Sequence, residues 1–247
     1  MKIVVIIPSR YGSTRFTAKP LALIAGKPMI QRVYEAAKQA ENITDVVVAT
    51  DDRRIMDAVE AFGGRALMTS PENRSGTDRA GDAARQMGLA GDDIIINVQG
   101  DQPMLDPRCL DEVIRPFFSD PGLHMSTLAY KIVNPDEISN PKEVKVVFDA
   151  QGFALYFSRS PIPFCREPGQ ESDTYRHLGI YAYTLNFLDI FRRLPLGKLE
   201  DTEKLEQLRA LEYGYQIKVL VTACDSPEVD LPEDIDRIET LLQSRRK

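Results

Sequence analysis

The stretch IVVIIPSRYGSTRFTAKP, residues 3–20, decides the architecture. Ile3, Val4, Val5, Ile6 and Ile7 form an unbroken apolar run, which marks a parallel strand covered on both faces. A loop of small and basic residues follows at once, with Ser9, Arg10, Gly12, Ser13, Arg15 and Lys19. Ligands of a parallel α/β sheet bind beyond the carboxyl ends of its strands, so a site belongs on this loop. Gly12 and the hydroxyl residues let backbone N–H groups approach phosphate oxygens, while Arg10, Arg15 and Lys19 supply compensating cations. The loop is neither G-x-x-x-x-G-K-[ST] nor G-x-G-x-x-G, so the P-loop and nicotinamide-dehydrogenase readings lose support.

Charge points the same way. The 247 residues carry 31 Lys and Arg against 37 Asp and Glu, a formal charge of −6. Residues 1–34 hold Lys2, Arg10, Arg15, Lys19, Lys27 and Arg32 and no acid, whereas the rest carries 25 basic and 37 acidic residues. Such a basic island in an acidic chain suits an anion site better than chance clustering, and the acidic total argues against nonspecific nucleic-acid binding. A chain 43% hydrophobic and 28% charged is an ordinary globular domain, not a disordered tail or collagen-like repeat. Its longest apolar runs are far too short to cross a bilayer, and residues 1–2 enter the first strand with no leader pattern, so no membrane partner is expected. Cys109, Cys165 and Cys224 form neither an even framework nor a C-x-x-C pair, and are expected as free thiols of a cytoplasmic protein.

Outward from residue 20, short β-branched runs alternate with helix-period segments. Pro28 opens a helix to about residue 40, and residues 46–49 form the second strand. Asp51 or Asp52 caps a helix that Gly63-Gly64 ends, and residues 65–68 form a short third strand. Thr77 or Asp78 starts a helix ending near Gly88, 94–98 is a buried strand, and Asp106-Pro107 opens a helix to about 118. This order predicts an α/β fold with a mostly parallel sheet and right-handed crossovers. Beyond 124 the pattern changes: 125–132, 144–148 and 154–158 are expected as antiparallel neighbours. Residues 185–194 and 201–213 follow as helices, 217–223 as a strand and 232–245 as a last helix. No repeat or linker is present, so the expectation is one domain over 1–247 with a lobe at about 124–215.

Two further segments carry chemistry. NVQGDQP (97–103) ends a buried strand, and Asp101 there is well placed to hold a divalent cation against phosphates. VDLPED (229–234) places Asp230 before a Pro-started helix, where it is either that helix's N-cap or a second carboxylate for the same Mg²⁺.

Together these segments resemble the KDO (3-deoxy-D-manno-octulosonate) cytidylyltransferases, the CMP-KDO synthetase family. The resemblance spans almost the whole chain: IIPSRYGSTR from residue 6, GKPMI at 26–30, VVVATDD at 46–52, SGTDR at 75–79 and NVQGDQP at 97–103. It continues through VKVVFD at 144–149, ALYFSR at 154–159, IPF at 162–164, RHLGIYAY at 176–183, LEQLR at 205–209 and VDLPED at 229–234. SGTDR, GDQP and the run at 199–214 lean towards the subgroup that uses the 8-amino analogue of KDO.

The resemblance implies a Rossmann-like nucleotidyltransferase sheet with an inserted antiparallel dimerisation lobe, and a homodimer. It implies transfer of CMP from CTP to the anomeric hydroxyl of an eight-carbon sugar acid, releasing pyrophosphate, for lipopolysaccharide biosynthesis. Ser9, Arg10, Gly12, Ser13, Arg15 and Lys19 would cradle the triphosphate, with Lys19, Arg10 and Asp101 as the catalytic group. Gly76, Thr77 and Arg79 would face the cytosine, and Asp101 and Asp230 would bind Mg²⁺. Gln99, Arg159, His177, Glu203 and Gln207 would line the sugar pocket, with Glu203 and Gln207 one turn apart on one helix face. A lone histidine is more often structural than a ligand; the motif around His177 favours the ligand role, and His124 is expected to be structural.

Two departures from the family pattern stand out. Thr17-Ala18 replaces the usual Pro-Gly before Lys19, and Ala does not supply φ > 0 as cheaply as Gly. Leu231 replaces the Thr of VDTPED. The altered loop motivates a rival of another class, a nucleotide-binding regulatory module without turnover; retention of Lys19, Asp101 and Asp230 argues against it.

Overall fold

The computed structural model describes residues 1–12, 16–167 and 172–244. Its elements run β1 (Ile3–Ser9), β2 (Leu23–Ile24), β3 (Lys27–Pro28), α1 (Met29–Ala37), β4 (Asp45–Thr50), α2 (Arg53–Ala61), β5 (Ala66–Met68), α3 (Gly76–Gln86), β6 (Ile94–Asn97) and α4 (Pro107–Ile114). They continue β7 (Met125–Lys131), α5 (Asp136–Ser139), β8 (Lys145–Phe148), β9 (Ala154–Ser158), β10 (Tyr175–Thr184), α6 (Leu185–Phe191), α7 (Lys198–Glu203), α8 (Leu208–Glu212), β11 (Lys218–Thr222) and α9 (Asp234–Ser244).

One nine-stranded sheet dominates, in the order β11-β7-β10-β6-β1-β4-β5, with the β8–β9 pair attached to β10. β1 pairs parallel with both β4 and β6, and β4 with β5. β10 runs antiparallel to both β6 and β7, and β11 lies parallel to β7. All seven β1 residues are buried, and their alternation feeds two cores. Ile3, Val5 and Ile7 pack with Ile30, Val33, Ile55 and Leu110 of α1, α2 and α4. Val4 and Ile6 pack on the other face with Ala80, Ala84, Leu188 and Phe191 of α3 and α6. This three-layer packing is why the apolar run lacks polar alternation.

Helix starts follow side-chain chemistry. The carboxylate of Asp52 accepts from Arg54 N, the Ser75 hydroxyl from Asp78 N and the Asp106 carboxylate from Arg108 N, each satisfying a helix-end donor. Pro28 stands one residue before α1 rather than inside it, because it pairs with Leu23 in the β2–β3 ribbon.

Three expectations change. Within 124–215, β7 and β10 are inner strands of the main sheet, and the β8–β9 pair attaches to β10. β7 and β8 are therefore not antiparallel neighbours; β10 stands between them. The ten-residue strand β10 itself is absent from the sequence reading, because Gly179 and charged Arg176 break its apolar pattern where it slips register against β7. The helix expected at 201–213 is two short helices, interrupted where Lys204 takes φ 54°.

Candidate active site

Chain order places the site. From β1 the chain moves outward to β4 and β5, then returns to β6 on β1's other side, so the crossovers diverge between β1 and β6. A crevice opens at such a point beyond the carboxyl ends of the strands. Ser9 ends β1 and Asn97 ends β6 there, and antiparallel β10 brings its first residues to the same end. The two loops touch: a Cβ on Gly100 would lie 2.8 Å from Ser9 Oγ, so only glycine allows this approach. Gly76 brings the first turn of α3 against Pro8, where an added Cβ would sit 3.1 Å from its ring.

At the centre, Lys19 Nζ donates to Asp101 Oδ2 at 2.6 Å and to the Val229 carbonyl at 3.0 Å. Val229 N in turn donates to the Asp101 carbonyl at 3.0 Å. Three segments at least 82 residues apart are thereby tied together, with Asp230 next in chain. Asp234, the first residue of α9, reaches back to this segment, its Oδ2 accepting from Asp230 N and Leu231 N.

Buried polar atoms without a hydrogen-bond partner among the described residues gather at this end of the sheet: Ser9 Oγ, Asn97 Oδ1, Asp101 Oδ1 and Gln102 Oε1. Folded proteins seldom strand such atoms, and a cluster of them is what a ligand site looks like. Asp101 thus offers one oxygen to Lys19 and keeps the other unclaimed. No group of three or more His, Cys, Asp or Glu capable of holding a metal exists among the described residues. Mg²⁺ needs no such group, since it takes one or two carboxylates and completes its shell with water and phosphate oxygens. Asp101 and Asp230 fit that requirement.

The Ala18 departure acquires a geometry: its φ is 58° and ψ 23°, in the left-handed region, and its N–H donates to the Tyr11 carbonyl at 2.9 Å to close the loop's base. Arg10 and Gly12 are exposed at the cleft, while Ser13 and Arg15 lie outside the described residues.

Beside Asp230 a cleft of about 150 Å³ is lined by Glu143, Arg176, His177, Gly179, Glu228 and Arg237, among others. Arg176 is held by Glu143 at 3.1 Å, by Glu137 at 3.7 Å and by Asp225. Thr127 Oγ1 lies 2.9 Å from His177 Nε2 and 2.8 Å from the Ile180 carbonyl. A carbonyl can only accept, so the arrangement that satisfies both short contacts sends the hydroxyl proton to Ile180 and has His177 donate from Nε2. Enclosure by protein, with the rings of Phe157 and Tyr181 at 5.1 and 5.2 Å, pushes the imidazole down to about 3. His177 is therefore neutral with a lone pair on Nδ1: an acceptor for a hydroxyl, not a cation for a carboxylate. Glu228 accepts from Gln102 Nε2 at 3.1 Å; crowding by protein, then the Asp101 and Asp230 charges, push it up to about 7, although solvent reaches it through the cleft.

Other expected site residues are placed differently. Arg79 is fully buried, Nη1 donating to Thr69 Oγ1 at 2.6 Å and Nη2 to Asp51 Oδ2 at 2.7 Å. Its guanidinium braces the β4 and β5 ends rather than presenting itself to a base. Thr77 and Gly76 remain at the cleft. Glu203 is engaged by Ser158 Oγ at 2.6 Å and Arg159 N at 3.0 Å, and Arg159 Nε donates to the Glu203 carbonyl at 2.8 Å. These two residues hold each other. The break at Lys204 removes Gln207 from Glu203's helix face; Gln207 is buried, with Nε2 unpartnered.

Three residues emerge that the sequence reading passes over. Glu206, adjacent to Gln207, accepts from Thr77 Oγ1 at 2.5 Å, and burial raises its pKa. Lys145 is fully buried and donates to the carbonyls of Asn140, Glu143 and Arg159 at 2.6 to 2.9 Å, fixing the cleft wall that carries Glu143. Glu228 is the third. Glu206 was readable one position from Gln207; Lys145 looks like any strand lysine until the sheet is assembled.

Crevice, cation and carboxylates define a nucleotidyltransferase-like site, and residues 4–219 match the family profile described as cytidylyltransferase. The chain belongs to the cytidylyltransferase family. It is 65% identical to a 3-deoxy-manno-octulosonate cytidylyltransferase of Desulfosudis oleivorans, covering 99% of this chain and 98% of that one. It is 57% identical to an 8-amino-3,8-dideoxy-manno-octulosonate cytidylyltransferase of Shewanella baltica, over 98% and 99%. A solved structure of CMP:2-keto-3-deoxy-manno-octonic acid synthetase complexed with CTP superposes with a TM-score of 0.92 at 42% identity, covering 99% of this chain and 100% of that chain.

Proposed function

We propose that this protein transfers CMP from CTP to the anomeric hydroxyl of KDO, forming CMP-KDO and pyrophosphate for lipopolysaccharide biosynthesis. The observation that carries the reading is the junction of Lys19, Asp101 and Val229 at the β1–β6 crevice, beside the orphaned Ser9 hydroxyl. The names of its full-length relatives support the same acceptor.

The sugar oxygen attacks the α-phosphorus in line and pyrophosphate leaves, so no protein nucleophile is required. What the chain supplies is position and charge. Lys19, Arg10 and the Ser9–Gly12 loop bind the triphosphate, and Gly76 and Thr77 approach the cytosine. Asp101 and Asp230 would hold Mg²⁺, which supplies neutralisation of phosphate charge when bound. Gln99 and the Nδ1 lone pair of His177 take sugar hydroxyls, and the cleft wall pinned by Lys145 keeps their spacing.

The same reaction applies unaltered to the 8-amino analogue, since C8 is remote from the anomeric carbon. The reading places the enzyme in the cytoplasm, where CTP is made. It also makes it a homodimer, for which the exposed apolar Leu155 on edge strand β9 and Val221 on edge strand β11 offer contact surface. Pyrophosphate release dependent on both CTP and an octulosonic acid is the test. CTP binding with no pyrophosphate under any sugar and Mg²⁺ condition would restore the regulatory-module reading, and light scattering checks the dimer.

A further inference from the structure

We propose that Glu228 is the specificity residue for the far end of the sugar, and that its carboxylate receives an ammonium there. This inference rests on the transferase reading above.

The argument begins with charge pairing in the cleft. Asp101 faces Lys19 at 2.6 Å, Glu143 faces Arg176 at 3.1 Å, and Asp234 faces Arg237 at 3.8 Å. Asp230 belongs to the metal–phosphate centre. Glu228 differs: among the described residues the partner of its carboxylate is the neutral amide of Gln102. Arg237 approaches Glu228 only at the backbone, Nη2 donating to the Glu228 carbonyl at 3.0 Å. A carboxylate that lines a cleft, accessible from solvent and answered by an amide, lacks a cation.

Its position suits the distal end of the substrate. Glu228 stands two residues before Asp230, so their Cα atoms are at most about 7 Å apart. That is the reach of an octulosonic acid from its anomeric oxygen, at the phosphate, to the end of its side chain. Across Gly179 it faces the residue assigned to the sugar: a Cβ on Gly179 would lie 3.4 Å from Glu228 Oε1, 3.6 Å from Gln99 Cγ and 3.7 Å from Gln102 Nε2. The carboxylate therefore borders the same small volume as Gln99.

The occupant follows from chemistry. A primary amine at C8 is protonated at neutral pH, as a lysine amine is, and forms a charge-assisted hydrogen bond to a carboxylate. A C8 hydroxyl gives a weaker neutral-donor bond and leaves the charge uncompensated. Glu203, the acid expected in the sugar pocket, is already engaged by Ser158 and Arg159. The 8-amino sugar is thus the better acceptor for this chain, although relatives bearing the KDO name are its nearer matches in identity. A distal substituent is read by few atoms, and overall identity is insensitive to them.

The test measures kcat/KM for KDO and 8-amino-KDO, at saturating CTP and Mg²⁺, for the wild type, Glu228→Gln and Glu228→Asp. The wild type is expected to favour the amino sugar at least tenfold. Glu228→Gln removes the charge and keeps the shape, and is expected to lose at least tenfold more on the amino sugar than on KDO. Glu228→Asp retains the charge and the direction of the preference. Equal losses on both sugars, or a raised Mg²⁺ requirement in Glu228→Gln, would overturn the assignment by making Glu228 part of the metal–phosphate centre. A wild-type preference for KDO would also overturn it while leaving the transferase reading intact. Turnover of neither sugar would sink that reading, and this inference with it.

Discussion

His177 carries a prediction that separates the neutral acceptor described above from an ordinary titrating histidine. Its imidazole is held down to about 3 by enclosure in protein, against about 6.5 in an unfolded chain. A base with a depressed folded pKa contributes its full stability above the unfolded value and loses it as pH falls. Between pH 6.5 and 3 the unfolded chain binds a proton that the folded one refuses. At pH 5.5 this amounts to roughly 1.4 kcal/mol lost relative to pH 7.5, and partial solvent access reduces it to about 1 kcal/mol. His177→Asn keeps a hydrogen bond to Thr127 and cannot titrate. Reversible urea unfolding of both proteins at pH 7.5 and 5.5 should therefore show the wild type losing about 1 kcal/mol more than the variant. Parallel losses would mean that the ring protonates while folded. That result would make His177 a cation for the sugar carboxylate. The neutral form also predicts that the KM for the sugar shows no His177 inflection from pH 6 to 9.

Asp101→Asn should fold normally and lose turnover by at least about 10²-fold at saturating Mg²⁺, since it weakens a metal–phosphate contact made in the transition state; near-normal rates would remove Asp101 from the centre. Ala18→Gly should raise stability by about 0.5–1 kcal/mol in chemical unfolding, the left-handed penalty at φ 58° exceeding glycine's entropy cost; destabilisation would show that no strain is stored there. Arg79→Met should cost about 3 kcal/mol by leaving Asp51 without its buried partner. Its KM for CTP at permissive temperature should stay within about twofold, and a large rise there would put Arg79 back in the base site. CTP should be favoured over ATP and GTP by at least about 10²-fold in pyrophosphate release.

The division between what could be read and what could not follows the range of the interactions involved. The strand 3–9 declares its burial through apolar continuity, and the helix caps at Asp52 and Asp106 declare themselves locally, because a cap needs only its own next few residues. Helix α3 instead starts at Gly76, capped by Ser75 rather than by the expected Thr77 or Asp78. Lys19 and Asp101 could be read as neighbours since chain order brings the ends of β1 and β6 together, whereas the approach of Val229 to them does not follow from chain order. Strand β10 was not, for its character comes from β6 and β7 on either side rather than from its own composition.

Glu203 and Gln207 show why side-chain roles are harder still. A four-residue spacing places two residues on one face only if the helix persists between them, and nothing in EKLEQ forbids that. The chain turns left-handed at Lys204 instead, and Glu203 goes to Ser158 and Arg159 on the end of β9. Downstream, Glu206 turns to Thr77, while Arg209 makes a fork with Glu200 at 2.5 and 2.7 Å. Each of these hydrogen bonds satisfies a buried or half-buried charge, and each outweighs the few tenths of a kcal/mol that helix continuity offers. The acid next to the base-facing segment is therefore Glu206, and the acid at the open end of the cleft is Glu228. Glu203, expected in the sugar pocket beside Gln207, is the one that the fold has already used.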